Sequence, residues 1–262
     1  HNPGTAVNGR FDDITLHKID FGTGVNPGLG IPVDEVSEAP TYEVNLDKAL
    51  RGIASVDFKS LQGVGRTEVT FSGAAYPEEV GYLLRLIMGM GNTVYNGTVY
   101  THTFELFGFP ESLTFESDVV TGASGGRRFT GLRLTNLTLN FSGAEGLLSY
   151  SATAISKIST KVTTQNPAAT DNNPWQGWRG TVTSTGHTTR IISGEISLAR
   201  ESYLEYVSQN SQDVKDIVIG ALEVSGNLVL AAEALTDFDN FIAHLNQSFQ
   251  IVFTQGSGAT EK

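Results

Sequence analysis

Residues 132–141 read Leu-Arg-Leu-Thr-Asn-Leu-Thr-Leu-Asn-Phe, and this stretch decides the fold. Apolar and polar side chains alternate along it with a period close to two, which is typical of a β-strand with one buried face. Shorter stretches of similar pattern lie on both sides of it, at 55–59, 67–71, 100–107, 112–116, 148–153, 191–192, 195–198, 217–219, 222–230 and 249–253. The pattern predicts a mostly β chain of many strands.

Two of these strands are predicted to pair directly. Residues 55–59 and 67–71 both alternate, and Gly63 and Gly65 lie between them. Glycines between two alternating runs favour a tight turn, so the two strands are expected to form a hairpin.

The clearest helix is predicted to begin at Pro77 and to stop at Gly89. Proline suits the first helical position, and Glu78 and Glu79 suit the positive end of the helix dipole. Apolar residues recur at helical spacing between Val80 and Ile87, so one face should pack against a sheet.

The chain is predicted to have four parts. Residues 1–40, rich in Gly, Pro and Asn, are expected to form a surface loop or an arm that reaches a neighbouring subunit. A first β domain is expected at 41–157, a linker rich in Thr, Asn and Pro at 158–178, and a second β domain at 179–262.

The second half repeats the order of elements of the first half. A strand ending near Phe71, the helix at 80–87 and a strand at 104–107 correspond to a strand ending at Leu230, a predicted helix at 237–245 and a strand at 249–253. This order favours a tandem duplication. The second copy lacks counterparts of the strands at 112–153, so either it is abbreviated or the sequence stops before its natural end.

The composition excludes several classes of protein. The net charge is −11, which repels phosphates and anionic membranes. The absence of cysteine excludes disulfide scaffolds and thiolate chemistry. No apolar stretch approaches the length of a membrane helix, and the start at His1 has no signal-peptide pattern. The start also lacks Met, so the chain is expected to be trimmed or incomplete there.

No group of residues predicts catalysis, and the chain is expected not to be an enzyme, with no cofactor and no metal. The histidines have no metal-ligand spacing; they are His1, His17, His102, His187 and His244. The loop 122–126 before Arg127 and Arg128 lacks the sequence that follows in phosphate-binding loops.

Three further sets of side chains have plainer explanations than a binding or catalytic site. Glu116 and Asp118 are interpreted as residues that flank a turn, and Glu78 and Glu79 as helix-capping residues, rather than as catalytic carboxylate pairs. Aspartates 12, 13 and 20 fit no calcium loop. Trp175 and Trp178 suit an anchor between the domains better than a sugar platform.

Several motifs, in order, resemble those of the tail tube proteins of long-tailed bacteriophages. They are the proline-led helix of residues 76–89, the strand Tyr-Thr-His-Thr-Phe at 100–104, Ser-Leu-Thr at 112–114, the strand at 132–139 and its successor at 147–151. In the second half, 194–198 and 226–230 occupy the expected places. The resemblance covers about residues 50–253.

The resemblance implies a fold and a function. It implies two tandem β-sandwich domains, each with one flanking α-helix, whose inner sheets close into a β-barrel when a ring assembles. The chain would then be a virion protein whose stacked rings form the conduit for genome ejection. A pseudo-sixfold ring of three subunits is favoured over a ring of six.

The resemblance also implies partners and a location. The partners are other copies of the chain, a tape measure protein, a tail terminator and tail tip proteins, and double-stranded DNA passes without specific binding. The protein would be assembled in the host cytoplasm and located in the virion tail, with no membrane insertion. The alternative is a secreted or cell-surface carbohydrate-binding or adhesin β-sandwich, which would stay monomeric and retain a glycan.

Overall fold

The computed structural model describes residues 21–48, 59–89, 91–97, 100–105, 110–118, 125–144, 146–163, 172–184, 187–189, 191–208, 210–231, 239, 242–243 and 248–254. They form one helix, α1 (Pro77–Met88), and the strands β1 (Glu35–Asp47), β2 (Lys59–Ala74), β3 (Asn92–Tyr95), β4 (Tyr100–Thr103), β5 (Leu113–Asp118), β6 (Gly126–Ser142), β7 (Ser149–Ser156), β8 (Thr160–Val162), β9 (Gly180–Ser184), β10 (His187–Thr189), β11 (Ile191–Glu205), β12 (Asp216–Leu230) and β13 (Phe249–Phe253). The mostly β prediction is confirmed.

One large antiparallel sheet organises the molecule. Its strands follow the order β1-β2-β7-β6-β11-β12, and β5 and β8 pair with the first part of β6. Two smaller sheets, β10-β9-β13 and β3-β4, complete the described strands. The large sheet joins strands from both predicted domains, because β6 pairs with β11.

Strand β6 changes partners part of the way along its length. Its first part pairs with β5 and β8, and its second part pairs with β7 and β11. Gly131 lies between the two parts with a φ of +64°, a conformation that favours glycine. A Cβ atom at this position would lie 2.7 Å from the ring of Phe21, so the residue also makes room for that ring.

The core lies between α1 and one face of the large sheet. Val69, Leu134, Leu137 and Ala152 supply fully buried side chains from β2, β6 and β7. The helix begins at Pro77 and ends at Met88, as predicted, and its apolar stripe is buried. Burial also raises the pKa of the Tyr150 phenol, which donates a hydrogen bond to the Pro32 carbonyl (3.3 Å).

The predicted hairpin between 55–59 and 67–71 is wrong. Lys59 and residues 67–71 lie in the same strand, β2, which passes straight through Gly63 and Gly65 and pairs with β1. Residues 55–58 lie outside the described part. A Cβ atom on Gly65 would lie 2.6 Å from the Tyr42 ring, so this glycine makes room for a side chain on the next strand and forms no turn. The predicted strands at 217–219 and 222–230 are likewise one strand, β12.

The predicted arm of residues 1–40 is wrong at its end, because β1 begins at Glu35. Residues 21–34 contact their own subunit. The Val25 amide donates to Thr114 Oγ1 (3.2 Å), and Arg128 donates to Asn26 Oδ1 (2.8 Å). Residues 1–20 lie outside the described part of the chain.

The predicted linker of residues 158–178 is partly built into the fold. Residues 160–162 form β8, and Trp175 bridges two elements, donating its amide to the Ala75 carbonyl (2.9 Å) and accepting from the Leu148 amide (2.8 Å). The division into two domains stays a prediction.

In the predicted helix at 237–245, the described residues Asp239 and Ala243 share one bond of helical spacing (2.9 Å). The other residues of this helix, apart from Ile242, lie outside the described part. No described helix is long and apolar enough to span a membrane.

Candidate functional surface and open sheet edges

The two faces of the large sheet differ in composition. One face packs against α1, and the other carries rows of polar side chains that stand side by side across six strands. One row is Ser37, Thr70, Thr153, Asn136, Ala199 and Glu223, and the next is Glu35, Ser72, Ser151, Thr138, Ser197 and Ser225. We call these two rows, with Glu68, Asn140, Ser149, Glu195 and Asn227, the polar face.

The polar face combines hydroxyl and amide groups with carboxylates. Four of its positions are glutamates. Two arginines lie at its border: Arg66, two residues before Glu68, and Arg133, which stands in the same row as Glu68 because both pair with Ile155. Thr138 Oγ1 lies within hydrogen-bond distance of Asn136 Oδ1 (3.0 Å) and of Ser197 Oγ (3.4 Å). One pair of hydroxyls on the polar face, Thr138 and Ser197, therefore lies within hydrogen-bond distance, and the surface as a whole is hydrophilic and acidic.

The backbone of β12 has hydrogen-bonding groups that point away from the sheet. The Gly143 amide donates to the Ile192 carbonyl (2.9 Å), so the backbone groups of Ile192 point towards β6. This contact fixes the direction of the backbone groups of the following residues of β11. In an antiparallel strand, successive residues point their N–H and C=O groups to opposite sides. Following the register, the N–H and C=O groups of Glu223, Ser225 and Asn227 point to β11, and those of Val224 and Gly226 point outward.

The same reasoning applies to β1 at the other edge. The Ala75 amide donates to the Leu148 carbonyl (2.8 Å), so the backbone groups of Ala75 point to β7. By the register, the N–H and C=O groups of Glu35, Ser37 and Ala39 then point to β2. The backbone groups of Val36, Glu38 and Pro40 point outward. Pro40 has no N–H, which makes it acceptable only at such an edge position.

The two edges are compatible with each other. Among the described strands, none lies beyond β1 or β12. Five antiparallel pairings separate β1 from β12, so the two strands run in opposite directions. A second copy whose β1 lies beside β12 would continue the antiparallel pattern of the sheet.

Beyond Gly65, β1 and β2 continue as a two-stranded ribbon, which we call the projecting ribbon (residues 42–47 and 59–65). Its apolar side chains are exposed, with Val44 at 63%, Leu61 at 49% and Leu46 at 47%. Its base is held by Gln212, whose backbone carbonyl accepts from the Gly65 amide (2.9 Å). An apolar ribbon of this kind needs a partner surface.

The side chains considered for chemistry do not come together. Arg127 lies near Glu38 (3.9 Å), and Arg128 Nε donates to Glu116 Oε1 (2.6 Å). Glu116 and Asp118 lie at the end of β5, and the turn that they are expected to flank lies at residues 119–124, outside the described part. Glu79 is buried in the first turn of α1. Loop residues 122–124 lie outside the described part.

His102 lies in β4, and its Nδ1 is 2.9 Å from Thr93 Oγ1. His187 lies in β10, and the other three histidines, like the three aspartates of the arm, lie outside the described residues. No cluster of three or more His, Asp or Glu suited to a metal occurs among the described residues.

The two tryptophans lie in different environments. The Trp175 ring packs 6.4 Å from the Phe253 ring beside the core, in agreement with an anchor. Trp178 is 60% exposed, with the Arg179 guanidinium 5.0 Å from its ring centroid. Trp175 therefore packs beside the core and Trp178 does not, and the anchoring role between two domains stays a prediction.

The polar face and the open edges were not predicted from the sequence. A signal for the polar face was present, because the polar halves of the alternating runs at 136–140 and 149–153 are Ser, Thr and Asn. The edges had no such signal, because strand order is set by contacts between residues far apart in the sequence.

A family model described as phage tail tube protein matches residues 57–262. No curated protein matches the chain. The matched segment begins just before β2 and includes five of the six strands that form the polar face.

Proposed function

This chain belongs to the phage tail tube protein family, and we propose that it is the repeating subunit whose rings stack into the conduit for genome ejection. It is a structural protein of the virion tail. The observation that carries the proposal is the pair of open, oppositely directed edges on a sheet with one polar face.

Ring closure joins β12 of one subunit to β1 of the next. The outward N–H and C=O groups of Val224 and Gly226 then find partners, as do those of Val36 and Glu38. An unpaired edge is an aggregation hazard, and ring closure removes it. Because every subunit donates one edge and receives another, the sheets continue around the ring as a β-barrel.

The polar face lines the interior of this barrel. Its four glutamates repel DNA phosphates, and its hydroxyls hold water, so the genome passes without being bound. The face packed against α1 lies outside.

Three subunits form a pseudo-sixfold ring in this proposal, and six subunits are the alternative. Its support is the repeated order of elements. In the second half, the paired strands β11 and β12 are followed by the helical turn at Asp239 and by β13. In the first half, the paired strands β1 and β2 are followed by α1 and the hairpin β3–β4. The first-half strand predicted at 104–107 is found at Tyr100–Thr103 instead, because Phe104 and Glu105 lie outside any strand and residues 106–107 lie outside the described part. The units at 41–157 and 179–262 would then occupy alternate positions of the ring.

Stacking of rings buries the projecting ribbon. Val44, Leu46 and Leu61 are exposed in one subunit, and a ring placed on the next one covers them. The tape measure, terminator and tip proteins would be further partners, and assembly would take place in the host cytoplasm.

Negative-stain electron microscopy of the concentrated protein tests the proposal. We expect rings or hollow tubes with a bore wide enough for duplex DNA, and the ring symmetry follows from averaged end views. Monomers at every concentration would overturn the proposal and favour the glycan-binding alternative, for which exposed Trp178 would be the first residue to test.

The charge of the lumen gives a prediction of its own. Tubes carrying Glu195→Lys should bind short duplex DNA at least about tenfold more tightly than unaltered tubes at low salt, because the new cations recur around every ring. Fluorescence anisotropy at several salt concentrations measures this affinity, which should fall as salt rises.

The matched control for this prediction is Glu105→Lys, which makes the same charge change outside the polar face at an exposed position. We expect little gain in DNA affinity for this variant. Equal gains for both variants would show that Glu195 does not face the lumen.

A further inference from the structure

The hairpin β3–β4 carries a stack of rings along one of its faces. The Tyr95 and Tyr100 rings lie 4.4 Å apart at 27°, and the Tyr100 and His102 rings lie 6.4 Å apart at 11°. Thr93 pairs with His102 on the same face and bonds to its Nδ1 (2.9 Å). Tyr95 is 54% exposed.

This hairpin needs a partner. Among the described strands, β3 and β4 pair only with each other. A two-stranded hairpin is marginally stable by itself in water, and burial of an aromatic face is what stabilises it. The exposed ring of the stack, Tyr95, is therefore available for a contact with another molecule.

The position of the hairpin points to that partner. It follows directly after α1, whose last turn is fixed to the edge of the sheet. The Ile87 carbonyl accepts from Arg200 Nε (2.6 Å), and another nitrogen of the same guanidinium donates to the Gly220 carbonyl of β12 (2.8 Å). The helix thus ends near the open β12 edge, and β3 begins at Asn92, shortly after the end of α1 at Met88.

The strand that the proposed ring places at this edge is β1 of the next subunit. On its α1 side β1 presents Pro40 and Tyr42. They alternate with Ala39 and Thr41, which lie on the same side of the strand as the polar-face residue Ser37. Pro40 is exposed, and Tyr42 is 39% exposed beside Gly65. A proline ring and a tyrosine ring form an apolar surface suited to other aromatic rings.

We propose that the β3–β4 hairpin is a clasp, which packs its Tyr95–Tyr100–His102 stack on Pro40 and Tyr42 of a second copy of the chain, on the outside of the β12–β1 joint. This inference rests on the proposed function and extends it. The joint is then held by backbone bonds within the barrel wall and by aromatic contacts outside it.

Paired alanine variants of the hairpin test the clasp. Tyr95→Ala with Tyr100→Ala should raise the protein concentration needed for tube formation about tenfold, which corresponds to the loss of one or two aromatic contacts for each joint. The matched control is Val94→Ala with Thr101→Ala, which trims the opposite face of the same hairpin and should leave that concentration unchanged. Sedimentation across a concentration series measures it.

Cysteine pairs locate the contact, and the sequence has no cysteine to interfere. Tyr100→Cys combined with Tyr42→Cys should give covalent dimers and higher oligomers when assembled tubes are treated with oxidised glutathione, which accepts the two electrons released for each disulfide formed. Val94→Cys with Tyr42→Cys should not, because Val94 faces away.

The outcomes separate the two proposals. Tubes without cross-links, or equal assembly of both alanine pairs, would overturn the clasp and leave the tail tube role intact. Failure of the unaltered chain to assemble at any concentration would overturn the tail tube role, and the clasp with it.

Discussion

Replacing Val224 by proline is expected to leave the subunit folded and to prevent tube formation. The Val224 N–H points away from β11, so the substitution removes no hydrogen bond within the sheet. In the proposed ring, the same N–H bonds to β1 of the next subunit. Proline deletes this donor, and its ring occupies the space of the incoming carbonyl.

The expected loss is large because a carbonyl of the neighbouring subunit is left unsatisfied at every joint. Such a group costs about 1 to 3 kcal/mol, which weakens each joint by about tenfold to a hundredfold. Analytical ultracentrifugation and electron microscopy at matched concentrations measure the effect, and thermal unfolding shows whether the subunit has folded.

Val224→Ala is the matched control for this edge, because it removes the same apolar side chain and keeps the N–H. It should assemble at close to the unaltered concentration. If Val224→Pro forms tubes as readily as Val224→Ala, β12 is not the strand at the joint.

Leu137→Ala should cost the folded subunit about 2 to 5 kcal/mol in the free energy of unfolding. Leu137 is fully buried in the second part of β6, in the middle of the large sheet and in the core with α1. Removing its three side-chain carbons leaves a cavity that β7 and β11 cannot fill, because both are fixed by hydrogen bonds to β6. The melting temperature should fall by about 5 to 20 °C.

Urea denaturation measures this change, with Ser151→Ala as the control. Ser151 lies one strand away on the polar face and is exposed, so its loss should stay within about 0.5 kcal/mol. Equal and small effects of the two substitutions would mean that the α1 side of β6 is not the packed side.

The elements that sequence predicted well are those decided locally. The run 132–141 alternates because one side of β6 is buried, and α1 begins and ends at residues whose backbone chemistry marks those points. Both signals lie within a few neighbouring residues. The same holds for β7 and for the part of β11 up to Leu198.

The pairing of strands was less predictable, because a partner is chosen by residues far away in the chain. Gly63 and Gly65 read as a turn, yet Gly65 accommodates Tyr42 from β1, a strand predicted as part of an arm up to residue 40. No local pattern distinguishes a glycine in a tight turn from a glycine that leaves space for a side chain of the neighbouring strand.

The candidate surface was predictable only in part. The Ser, Thr and Asn residues of β6 and β7 were visible as the polar half of each alternation. Their union with Glu195 and Glu223 into one acidic face required the pairing of β6 with β11. The resemblance to tail tube proteins pointed to the family, which the match over residues 57–262 confirms.

Pro40 gives the assembly a direction. Two copies meeting through the same edge would form an isologous dimer, and a β1–β1 contact would place two prolines without donors in one short ladder. A β12–β1 contact includes only one. The heterologous joint is therefore favoured over the two-fold β1–β1 one, and a growing assembly closes head to tail into a ring instead of ending as a dimer.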